Sequence, residues 1–201
     1  MHPVPYYRPS TIDGTLALIK ELNNARPIAG GTDLLLRMKA GGVRPEALIS
    51  LRNVEELSQL SIDGCARLGA LLPLADLEHN AELMGTWPVL EQCLQTFASV
   101  QIRNAATLGG NLCNASPAAD SVPNLMALDA KVQLMSVKET RMLPLEEFIL
   151  GNRKTARKSD EFMTGLIIPH PGKDARGNFE KLGSFLTGML FVINIIKDAT
   201  S

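Results

Sequence analysis

The stretch from Phe97 to Asp120 constrains this chain most. Small and amide residues follow an apolar helical run, carry the pair Gly109-Gly110, and close on a lone acid. Glycine, lacking a Cβ, reaches positive φ and lets a ligand meet the main chain, and successive backbone N–H groups there can form an anion-binding nest. Thr107 and Asn111 flank the pair and add a hydroxyl and an amide that donate to phosphate oxygens without burying a charge. An isolated Gly-Gly is more often a turn between strands, but this one has a counterpart. Pro27, Ile28, Ala29, Gly30, Gly31, Thr32, Asp33 and Leu34 run from an extended segment through two glycines into a helical pattern over 34–40, which Thr32 or Asp33 can cap. A strand, two glycines and a helix start make a phosphate seat. Two such loops could grip one pyrophosphate from both sides.

Neither Gly-x-Gly-x-x-Gly nor Gly-x-x-x-x-Gly-Lys-Ser/Thr occurs, so a Rossmann or P-loop site is not indicated. The ordered set 29–33, 101–113 and 117–121 resembles the FAD-binding medium subunit of the molybdenum hydroxylases. That family includes xanthine dehydrogenase, carbon monoxide dehydrogenase and 4-hydroxybenzoyl-CoA reductase. The resemblance spans residues 4–184 and implies an α+β fold, a two-subdomain FAD-binding fold of the PCMH (vanillyl-alcohol oxidase-like) type. FAD would lie between subdomains at 1–55 and 56–184, with an apolar segment at 185–201 where the family continues into a C-terminal domain.

The same resemblance implies the FAD contacts. They are Pro27 to Leu34, then Thr107, Leu108, Gly109, Gly110 and Asn111, with Phe97 at the adenine end and Asp120 at the ribose or phosphate. Met163 matches a position against the isoalloxazine ring, and Lys181 matches a lysine in the strand 179–183. Read from the residues alone, Asp120 is equally a helix N-cap, Phe97 and Met163 are core, and Lys181 is a solvated lysine.

The implied role is electron transfer by an oxidoreductase subunit active only in a complex. FAD would take electrons from an iron–sulfur small subunit and pass them to NAD or another acceptor, while a molybdopterin large subunit oxidises substrate. This chain then needs no catalytic acid or base and no metal ligand. The alternative is a truncated, non-catalytic flavin-binding fragment that no longer assembles, because an apolar run over 185–196 replaces the family's arginine-containing strand. A self-sufficient oxidase of the vanillyl-alcohol type is a third reading, weakened because no substrate domain follows. No cysteine-rich insertion interrupts 114–120, so the extra iron–sulfur cluster of 4-hydroxybenzoyl-CoA reductase is not expected.

Composition narrows the rest. The 201 residues are 45% hydrophobic with a net charge of −1, enough apolar content for real cores and no basic footprint for nucleic acid. Cys65, Cys93 and Cys113 are odd in number and show no Cys-x-x-Cys spacing, which argues against a disulfide framework or structural zinc. His2, His79 and His170 neighbour no nucleophile motif. The tail has too few apolar residues for a bilayer, which needs about 20, so no membrane span is expected. No signal peptide is evident, which points to the cytoplasm. The basic loop 151–160 reads mainly as solvated, with partner contact the lesser reading.

Periodicity predicts a helix from Ser10 or Thr11 through Leu22, strands at 26–29 and 47–51 around the helix 34–40, and a hairpin at 60–62 and 66–72. It further predicts helices at 74–78, 88–97 and 121–128 on either side of a central loop. Strands at 131–137, 141–143, 161–168 and 178–182 then form a mostly antiparallel sheet.

Overall fold

A computed structural model describes the backbone of residues 3–172, 175–184 and 188–196, and their side chains through Lys181. Its α+β fold begins with a parallel three-stranded sheet of β1 (Tyr6–Tyr7), β2 (Ala25–Ile28) and β3 (Ala47–Ser50), in the order β1-β3-β2. All four residues of the central β3 are buried, as a strand covered on both faces requires. The crossovers are α1 (Ile12–Glu21) and α2 (Leu34–Lys39). Of the two candidate caps for α1, Thr11 serves: its Oγ1 accepts from Gly14 N at 3.0 Å.

A second, wholly antiparallel sheet starts with the hairpin β4 (Leu60–Ile62) and β5 (Cys65–Gly69), which turns at Gly64 with φ +61°. Six helices follow: α3 (Leu74–Glu78), α4 (Ala81–Thr86), α5 (Pro88–Gln95), α6 (Val100–Ala105), α7 (Leu108–Asn114) and α8 (Ser121–Ala127). The chain then makes β6 (Lys131–Met135), β7 (Thr140–Pro144), the turn of helix α9 (Leu145–Phe148), the small hairpin β8 (Ile149–Gly151) and β9 (Lys154–Thr155), and β10 (Phe162–Pro169). Strand order in the five-stranded sheet is β4-β5-β10-β6-β7.

Alternation along β6 turns Val132 and Leu134 inward, where they join Trp87, Leu83, Leu90, Leu125 and Phe148 in one buried cluster between sheet and helices. Each such large side chain contributes about 1.5–3 kcal/mol by leaving water. The indole N–H of Trp87 donates to the Pro169 carbonyl at 3.0 Å, and Asn124 Nδ2 donates to Val89 O at 2.8 Å, tying α8 to α5.

The strand expected at 66–72 ends at Gly69, and two larger parts of the sequence reading are corrected by the fold. Residues 98–120 do not form one loop, because α6 and α7 occupy most of that stretch, capped by Ser99 and Thr107. Glycine's poor helix propensity, about 1 kcal/mol below alanine, hid α7. Nor does the strand at 178–182 complete the five-stranded sheet. It belongs to β11 (Arg176–Ser184), which pairs along its length with β12 (Gly188–Ile196) in a separate two-stranded ribbon. Phe179 N donates to Gln92 Oε1 at 2.8 Å, which docks β11 on α5. Of the apolar tail, residues 185–187 and 197–201 lie outside the described residues.

Candidate functional site

The first glycine loop leaves β2, faces the start of α7, and forms one wall of a cleft of about 490 Å³. Gly30 lies so close to the other wall that a Cβ there would fall 1.8 Å from the Ala105 carbonyl oxygen. Gly31 has φ +74°, a left-handed conformation that glycine adopts without penalty. Among the described residues, the backbone N–H groups of Gly30, Gly31, Thr32 and Asp33 donate to no protein acceptor. This turn is therefore an array of unspent donors, the arrangement that receives an anion. Asp33 holds the N-cap position of α2, but its side chain makes no capping hydrogen bond.

The second glycine pair works differently from the sequence expectation. Gly109 and Gly110 are helical rather than in positive φ, and the first-turn amides of α7 are already engaged. Leu108 N donates to Leu72 O at 3.1 Å, Gly109 N to Ala70 O at 3.0 Å, and Gly110 N to Thr107 Oγ1 at 3.1 Å. A Cβ on Gly109 would lie 2.7 Å from the Ala70 carbonyl, so this glycine lets the helix abut the segment after β5. What α7 offers the cleft is side-chain chemistry. Asn111 accepts from Ser121 Oγ through its Oδ1, which leaves its NH2 group to donate.

Of the residues singled out in the sequence, Pro27, Ile28, Ala29, Gly30, Gly31, Thr32, Asp33, Leu34, Phe97, Thr107, Gly109, Gly110, Asn111 and Met163 all line this cleft. Met163 reaches it beside a β-bulge: Met163 pairs with Leu134 and Gly165 with Gln133, leaving Thr164 as the extra residue. Such a bulge re-aims side chains, and both Phe162 and Met163 border the cleft.

Leu108, Asp120 and Lys181 stand apart from the lining. Leu108 is buried in the main cluster. Asp120 occupies the N-cap position of α8 without making a cap bond. Its Oδ2 instead pairs with Lys181 Nζ at 2.8 Å, with the Asp120 side chain 5% exposed, while its buried Oδ1 has no partner among the described residues. The two residues that precede Asp120 in the chain, Ala118 and Ala119, do line the cleft. Nearby, burial pushes the Cys93 thiol up to about 12, a rise that the charge of Asp120 reinforces and Lys181 opposes.

Sequence reasoning missed the cleft's electrostatics. Among the described residues its lining includes four arginines, Arg26, Arg37, Arg153 and Arg157, against one carboxylate, Asp33. Arg153 donates to Asp33 Oδ2 at 3.0 Å and also to Asn114 Oδ1. Arg157 is held by carbonyls, donating to Glu161 O at 2.6 Å and Lys158 O at 2.9 Å. Burial lowers the proton affinity of Arg26, and the charges of Arg157 and Arg37 lower it further. The stretch 151–160 is thus more than a solvated loop, since β9 and the segment after it place Thr155 and Arg157 on the cleft wall. The available signal was four basic side chains in ten residues of a nearly neutral chain.

Among the described residues, no cluster of histidine, cysteine and carboxylate side chains could hold a metal ion, and no helix is long and apolar enough to cross a membrane.

Residues 2–171 match the family described as the FAD binding domain in molybdopterin dehydrogenase. The chain is 31% identical over 188 residues to the nicotinate dehydrogenase FAD-subunit of Eubacterium barkeri, a match covering 90% of this chain and 64% of that protein. It is 29% identical over 175 residues to the xanthine dehydrogenase FAD-binding subunit of Escherichia coli O157:H7, covering 86% of this chain and 60% of the relative. Among solved structures, quinoline 2-oxidoreductase from Pseudomonas putida 86 superposes with a TM-score of 0.87 at 26% identity, over 90% of this chain and 63% of that one. The chain therefore spans about three fifths of the length of the relatives it matches.

Proposed function

The chain belongs to the family of FAD binding domains in molybdopterin dehydrogenases, and on that footing we propose that it holds FAD in the cleft as the electron-transfer component of a molybdenum hydroxylase. The observation that carries this reading is the donor turn Gly30–Asp33, whose amides are unspent among the described residues, set with four arginines and, of the described side chains, one carboxylate. A pyrophosphate brings two negative charges, and a cleft whose described residues carry an excess of three positive ones (four arginines less Asp33) suits it electrostatically. The enclosed volume lies in the range of cofactor pockets, about 300–1,000 Å³.

In this reading the amides of Gly30, Gly31, Thr32 and Asp33 receive the pyrophosphate, and the NH2 group of Asn111 adds a donor from the opposite wall. Phe97 offers an aromatic surface to adenine. Leu34 and Met163 give apolar contact to the isoalloxazine ring. Asp120 and Lys181 act indirectly, through an ion pair that fixes the start of α8 against β11. Bound FAD supplies the redox chemistry, taking up electrons and releasing them to an acceptor. The protein's own task is to bind, orient and shield the cofactor, and it needs no general acid or base.

The electrons come, in this proposal, from an iron–sulfur subunit fed by a molybdopterin subunit that oxidises substrate, and they leave to NAD or another acceptor. Co-expression with an iron–sulfur and a molybdopterin chain tests it. The expected product is a complex with a flavin absorption band that bleaches when the molybdenum subunit's substrate is added and recovers with the acceptor. A complex that forms but carries no flavin would refute the proposal.

A further inference from the structure

Arg103 on α6 is nearly buried, at 11% side-chain exposure, and its guanidinium joins three pieces of chain. Nε donates to Glu78 Oε2 at 2.7 Å, at the end of α3. Nη1 donates to the Phe97 carbonyl at 2.8 Å and to the Ala98 carbonyl at 3.2 Å. Those carbonyls belong to a turn that needs holding: Ala98 has φ +42°, a left-handed conformation that disfavours any residue with a Cβ. Phe97 and Ala98 both line the cleft, as does Ile102 from the same helix. Among the described residues, neither carbonyl accepts a backbone hydrogen bond outside regular structure. Arg103 is thus the side chain that holds the turn in its cleft-forming shape.

We infer that Arg103 is a positioning residue for the adenine arm of the cofactor, and that by fixing the Phe97–Ala98 turn it sets the preference for FAD over FMN. The inference rests on the FAD reading above. FMN carries the same ring but no adenine, so it does not reach this turn.

Arg103→Lys separates the roles. Lysine keeps a cation beside Glu78 but cannot also donate to both carbonyls in the planar, forked geometry of a guanidinium. Titration of Arg103→Lys with FAD and FMN is expected to show FAD affinity about tenfold weaker, the loss of one to two hydrogen bonds from a charged donor, with FMN affinity unchanged. Adding Ala98→Gly to that variant relieves the left-handed residue and is expected to restore most of the FAD affinity. Glu78→Gln, which leaves the turn's bonds in place, keeps the FAD to FMN ratio of the unsubstituted chain. An equal loss for both flavins, no loss, or no rescue by Ala98→Gly would overturn the inference. If the unsubstituted chain bound no FAD, the underlying reading itself would fall.

Discussion

The carbonyl oxygen of Ala105 occupies the space where a side chain on Gly30 would begin, with only 1.8 Å between that oxygen and a Cβ placed on the glycine. This contact fixes the spacing between the donor turn after β2 and the α6–α7 junction, and hence the width of the cleft. Gly110 is under milder constraint, because a Cβ there would meet the Thr107 hydroxyl at 2.9 Å, a side-chain atom that can rotate away. Gly30→Ala is therefore expected to destabilise the chain by about 2–4 kcal/mol through forced separation of the walls and to abolish flavin binding. Gly110→Ala loses only the Thr107 cap, on the order of 1 kcal/mol. Thermal melts and flavin titration of both variants give the comparison, and equal behaviour would contradict it.

The Asp120–Lys181 pair connects α8 to β11 through a buried carboxylate. Removing one member leaves the other in a site that excludes water, which costs about 3 kcal/mol. Lys181→Met is expected to lower the melting temperature of the flavin-free chain. A loss visible only in the presence of flavin would mean that Lys181 acts as a direct ligand.

Glu161 gives the fold an acid-sensitive joint. Its side chain is 1% exposed and accepts both Arg141 Nε at 2.7 Å and Arg141 Nη2 at 2.9 Å, together with Lys158 N at 2.8 Å. Burial alone pushes its pKa up, but the Arg141 hydrogen bonds, the Lys158 amide and the charges of Arg141 and Lys158 outweigh it, so the carboxyl titrates below its ordinary value. A folded pKa below the unfolded one means that the unfolded chain binds more protons. The stabilisation is then complete above the unfolded value, about 4.3, and is lost as pH falls through the folded value. Melting temperatures of the parent and Glu161→Gln should differ most at neutral pH and converge in acid. A gap that stays constant with pH would argue against the ion pair as its source.

Several elements were legible in the sequence because their signals are local. Thr11 starts α1, Gly64 turns the β4–β5 hairpin, Pro88 opens α5, and Ser121–Ala127 follows its apolar spacing. The first glycine loop was legible for the same reason. Others depend on contacts distant in sequence. Gly109 and Gly110 read as loop residues because nothing near them announces that Ala70 will press against the helix. The arginines of the cleft were hidden for a like reason, since Arg26 and Arg37 come to border the same cleft as Arg153 and Arg157 only in the folded chain. Lys181 looked solvated because its carboxylate partner lies 61 positions away.

Cys93 offers a check on the packing of the main buried cluster. Its buried thiol, pushed up to about 12 by burial and the nearby Asp120, holds essentially no thiolate at pH 8. An aromatic disulfide reagent should leave Cys93 unmodified in the folded chain and reach it only on unfolding. Fast labelling of Cys93 in native protein would show that this region is open.

The most direct measurement is a fluorescence titration of the flavin-free chain with FAD at two ionic strengths. The expected result is saturable, one-to-one binding that weakens as salt rises from about 0.05 to 0.5 M, because screening over a few ångströms blunts the attraction between the arginines and the pyrophosphate. Riboflavin, which lacks phosphate, should bind far more weakly and without that salt dependence. Failure to bind FAD, or equal affinity for FAD and riboflavin at both ionic strengths, would contradict the assignment of the cleft.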